Sequence, residues 1–78
     1  MIADDRIVGL VRPSIMDCIP SFIKRHVIDK NCRQIEKEFP ELYSAFLQEE
    51  EPTEGETIKM SEIVNAIFEE QILERQGR

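Results

Sequence analysis

Residues that carry chemistry are scarce in this chain, and each scarcity removes a class of function. The three glycines, Gly9, Gly55 and Gly77, are far apart, so no glycine-rich loop exists to cradle phosphates. His26 is the single histidine and lies between the two cysteines, Cys18 and Cys32. A structural zinc site usually takes four ligands, often in close pairs, and this order and spacing supply neither. A cysteine nucleophile needs an imidazole beside it and a third group to orient that imidazole. Cys18 lies about 12 Å from His26 along a straight helix at 1.5 Å per residue. Cys32 falls on an apolar stripe, where cysteine behaves as a small hydrophobe. Carboxylates are plentiful, but none stands in a setting that would split the pKa values of an acid–base pair. The expectation is a protein that is not an enzyme, with no metal and no cofactor.

Long hydrophobic runs are also missing. None approaches the roughly 20 residues that span a bilayer, and Met1-Ile2-Ala3-Asp4-Asp5 is acidic where a signal peptide is basic. The expected location is the cytoplasm, with no membrane partner. The thiols are expected to be reduced there, rather than closed into a disulfide between residues 18 and 32.

What the chain does contain is a normal globular balance, 41% hydrophobic and 33% charged, unlike the composition of a disordered segment. Its 78 residues make one domain, residues 1–78. A core of that size supplies only about 3–5 kcal/mol, so a partner or a second copy would add stability. The net charge of -6 is unevenly spread. Residues 1–37 carry seven basic side chains against five acidic ones, a balance of +2. Residues 38–78 carry three basic side chains against eleven glutamates, a balance of -8.

Apolar periodicity predicts an all-α fold, a compact bundle of three to four helices. Ser14 is placed to cap a helix whose apolar face is Ile15, Ile19, Phe22, Ile23, His26 and Val27, running to about residue 28. Pro20 inside that pattern means a kink or a restart with Pro20 in the first turn. A second stripe runs from Ile28 and Cys32 to Phe46 and Leu47. It reads as a helix over about 31–38, entered at Asn31, and another over about 40–50 that starts at Pro40. The run 49–57 reads as an acidic loop, because like charges combine with Pro52 and Gly55. Ser61 is placed to cap the last helix, with Met60, Ile63, Val64, Ile67, Phe68 and Ile72 on its apolar face. A short strand pair between residues 7–11 and 57–60 is left open.

Two functional readings follow. The leading one is a non-enzymatic protein-interaction module: a regulator, adaptor or inhibitor that presents an acidic surface to a basic site on a protein partner. Glu49, Glu50, Glu51 and Glu54 would supply charge, and Phe68, Ile72 and Leu73 apolar anchors. Such attraction speeds association and weakens with salt. Phe46, Leu47, Ile72 and Leu73 would also suit a homodimer. The alternative is a small nucleic-acid-binding regulator of the transcriptional type using Lys24, Arg25, Lys30, Arg33 and Lys37. On helical spacing, Lys30, Arg33 and Lys37 share a face that could meet phosphates.

Overall fold

The computed structural model describes residues 2–76 as five helices. They are α1 (Ile2–Val8), α2 (Pro13–Met16), α3 (Ser21–Glu38), α4 (Pro40–Leu47) and α5 (Glu54–Gln76). The molecule measures 40 × 22 × 21 Å. Its long axis is set by α5, whose 23 residues extend about 35 Å at 1.5 Å per residue. Helix α5 is the spine: α1, α2, α3 and α4 all pack on it, and α1 also packs on α3 and α4.

The core is built by four-residue repetition. Ala3, Ile7, Val11, Ile15 and Ile19 are buried in succession through α1, α2 and the turns around them. Val27, Cys32 and Ile35 come from α3, and Tyr43 and Phe46 from α4. Met60, Val64 and Phe68, each one helical turn apart, are completely buried on α5.

The all-α bundle agrees with the periodicity, but several internal boundaries differ from it. Pro20 does mark a restart: α2 is a single turn, and Pro20 precedes the first residue of α3. The start of α2 lies at Arg12 and Pro13 rather than at Ser14, with no side-chain cap. Helix α3 then runs unbroken through residues 28–31. Asn31 is no cap; its side chain points into the interior and is completely buried. Pro40 does open α4, behind a hinge at Phe39 with φ -131° and ψ 60°.

The strand pair is corrected on both sides. Residues 2–8 are helical, and residues 57–60 lie inside α5. Residues 57–60 are helical because a reciprocal cap at Thr53 starts α5 upstream of them. The Thr53 Oγ1 accepts from the Glu56 amide at 3.2 Å, and the Thr53 amide donates to Glu56 Oε1 at 2.8 Å. This capping box starts the helix at Glu54, seven residues before Ser61. The acidic loop is accordingly shorter than expected, since Glu54 and Glu56 belong to the first turn of α5. Acidic side chains there also face the positive end of the helix dipole favourably.

Candidate functional site: a pinned acidic segment

The acidic segment between α4 and α5 is anchored at both ends. At its start the Arg6 guanidinium, reaching across from α1, donates to four successive or near-successive backbone carbonyls. Its Nη1 lies 2.8 Å from Gln48 O and 3.4 Å from both Phe46 O and Glu50 O. Its Nη2 lies 3.4 Å from Glu49 O. The last carbonyls of a helix lack intrahelical partners, and a cation at that end also opposes the helix dipole. Arg6 supplies both effects to α4. At the far end the Thr53–Glu56 box fixes the start of α5. Between these anchors Glu49, Glu50 and Glu51 are exposed, as is Glu54 one residue past Thr53.

The proposed apolar anchors separate. Phe68 is completely buried and belongs to the core; an aromatic with no exposed surface cannot meet a partner in the folded chain. Ile72 is half-buried and lines a cavity of about 230 Å³ with Cys18, Ile19, Pro20, Val27 and Phe68. Leu73 is 60% exposed. It sits near the far end of α5, while the acidic segment precedes the start of that helix. Phe46 is buried and Leu47 exposed.

The basic residues of α3 do not act as one set. Arg25, Lys30 and Lys37 are exposed and Lys24 is half-buried. Arg33 is engaged internally. Its Nη2 donates to Asp4 Oδ1 at 2.7 Å and to the Tyr43 hydroxyl at 2.8 Å, and that hydroxyl donates to Asp4 Oδ1 at 2.8 Å. The guanidinium carbon also stands 5.7 Å from the centre of the Tyr43 ring, within cation–π range. This triangle joins α1, α3 and α4. Lys30 shares shallow grooves between α3 and α5 with Glu70 and Glu74.

Burial, then a hydrogen bond to Asp4, pushes the Tyr43 hydroxyl up to about 12. Burial, then the nearby Asp4 charge, pushes the Cys32 thiol up to about 12. A thiol held this firmly protonated is a poor nucleophile. Cys18 is exposed and donates its S–H to Ser14 O at 3.3 Å. Among the described residues no group of three or more His, Cys, Asp or Glu side chains is placed to hold a metal ion. No helix among them is long and apolar enough to cross a membrane.

Sequence spacing did not point to Arg6, which acts on carbonyls more than forty residues away. It could have pointed to the cap, because Thr53-Glu54-Gly55-Glu56 carries the Thr-x-x-Glu pattern. Comparison with family models, curated proteins and solved structures finds nothing that matches this chain.

Proposed function

We propose that this protein is a non-enzymatic interaction module, a cytoplasmic regulator, adaptor or inhibitor that presents Glu49, Glu50, Glu51 and Glu54 to a basic site on another protein. The observation that carries the reading is the double anchoring of this segment by Arg6 and by the Thr53–Glu56 cap. A loop already held in place loses less conformational freedom on binding. Four exposed carboxylates within six residues also give a local field that attracts a basic surface. The unpaired thiols of Cys18 and Cys32 suit a reducing compartment. The nucleic-acid reading on Lys24, Arg25, Lys30, Arg33 and Lys37 has less support, because Arg33 is engaged with Asp4 and Tyr43 and Lys30 is flanked by Glu70 and Glu74.

The test is co-purification of the tagged chain, read by mass spectrometry at low and high salt. A variant with Glu49, Glu50, Glu51 and Glu54 all changed to Gln runs in parallel. The expected result is a protein partner retained by the native chain at low salt and lost from the variant. Equal recovery by the variant, or recovery of nucleic acid in place of protein, overturns the reading.

A further inference from the structure

The α3–α4 hinge leaves an open groove whose chemistry is distinct from that of the acidic segment. Phe39 closes α3 by donating its amide to Ile35 O at 2.7 Å, and opens α4 by accepting from the Tyr43 amide at 2.9 Å. Phe39 is left 37% exposed. Phe39, Pro40 and Leu42 form an apolar floor, and the first two turns of α5 form the facing wall. The groove encloses about 510 Å³, within the roughly 300–1,000 Å³ of ordinary ligand sites. Its rim carries Glu38, Glu41 and Glu56 against the single cation Lys59.

We propose that this groove docks a segment of a partner protein that carries a Lys or Arg close to a bulky apolar side chain. The proposal rests on the interaction-module reading and adds a second point of contact to it. The charge of the rim selects the occupant: three carboxylates and one ammonium leave a deficit that a cationic side chain fills. The exposed Phe39 ring accepts a cation on its face, and Pro40 and Leu42 offer apolar contact to the neighbouring side chain. An acidic segment is repelled. A purely apolar one strips water from the Glu41 carboxylate without supplying a partner.

Gly55 makes the test clean. It lines the groove from the first turn of α5, and a Cβ built there meets nothing within 4 Å. Gly55→Ala therefore adds only a methyl in open space while favouring the helix, and Gly55→Trp sets a bulky ring at the groove's lining. The full chain is immobilised and panned against a random linear peptide library, and the enriched peptides are synthesised. The expected peptides place Lys or Arg within a few residues of Phe, Leu, Ile, Met or Trp. They bind the native chain and Gly55→Ala alike, and bind Gly55→Trp and Glu41→Lys at least about tenfold more weakly. They also bind the quadruple Glu→Gln variant of the acidic segment, so a failure of that segment's role is told apart from a failure of the groove. Gly55→Trp melting at or above the native temperature shows that the loss is not unfolding. No enrichment, enrichment of acidic or wholly apolar peptides, or equal binding to Gly55→Trp overturns the proposal. So does a concentration-dependent dimer that Gly55→Trp abolishes, which would give the groove to a second copy of this chain.

Discussion

Two buried asparagines show how differently one residue type can be treated. Asn65 is satisfied on both sides of its amide. Its Oδ1 accepts from the Arg12 amide at 2.8 Å, and its Nδ2 donates to Leu10 O at 3.0 Å and Ser61 O at 2.7 Å. It stands in for a backbone peptide and holds the α1–α2 connection against α5. Asn31 is completely buried, yet neither its Nδ2 nor its Oδ1 has a hydrogen-bond partner, and nothing in the structure explains its amide. Stripping such a group of water costs about 1–3 kcal/mol. Asn31→Leu keeps the branching at Cγ and removes that cost. It is expected to raise the urea midpoint, by the equivalent of about 1–2 kcal/mol. Asn65→Leu, which strands Leu10 O and the Arg12 amide, should lower it by a similar or larger amount.

Tyr43 and Cys32 set a pH limit at the same scale. Both groups have folded pKa values raised to about 12, above the ordinary values of 9.0 for the thiol and 10.0 for the phenol. The neutral forms therefore favour the fold. Their contribution is complete below about pH 9 and is lost as pH rises toward 12, because the unfolded chain releases its protons first. Thermal melts across this range should show a falling midpoint. In Tyr43→Phe the fall should be shallower above pH 10, on a midpoint already lower at neutral pH because Arg33 and Asp4 each lose a hydrogen bond to the hydroxyl.

Among the elements, α5 shows best what the sequence disclosed and what it hid. Met60, Val64 and Phe68 are spaced for one helical face, and that face is buried. Its start differs from the expected one because the Thr-x-x-Glu cap outweighs Pro52, Gly55 and the run of glutamates. Asn31 and Ser61 carry capping chemistry at positions where the helix simply continues, so residue type alone misled. Pro20 and Pro40 were reliable because the missing amide is a covalent fact that no tertiary contact changes. The Arg6 contacts were illegible, since guanidinium-to-carbonyl bonds across more than forty residues leave no local pattern.

The two anchors of the acidic segment can be loosened separately. Thr53→Ala removes the acceptor for the Glu56 amide and should cost about 1 kcal/mol, read by denaturant melts. Arg6→Met keeps an unbranched chain but withdraws every donor from residues 46–50. Hydrogen exchange should then quicken in the last turn of α4 and through residues 48–53, with little change in α3. Association with a partner should weaken mainly through faster dissociation, because the carboxylates that steer the encounter are still present.

At the scale of the whole molecule, charge and fold are nearly independent. Changing Glu49, Glu50, Glu51 and Glu54 to Gln reduces the net charge from -6 by four, to -2. All four side chains are exposed, so stability should move by no more than about 0.5 kcal/mol. Association with a basic partner should slow, and the native chain's rate should fall toward the variant's as salt is raised, a comparison made by stopped flow. The charge asymmetry was legible from composition. The groove at Phe39 was not, because its walls come from residues 38–42 and 55–59, which only the packed bundle brings together.

Each of the other four described helices packs on α5, and α5 follows all of them in sequence. A ribosome delivers α1 to α4 first, as a set of helices with one wall missing. Until residues 60–68 emerge, Ile7, Ile15 and Ile35 have no complete interior to enter. These helices therefore stay without a complete core until residues 60–68 have been made, and their folding waits for that stretch.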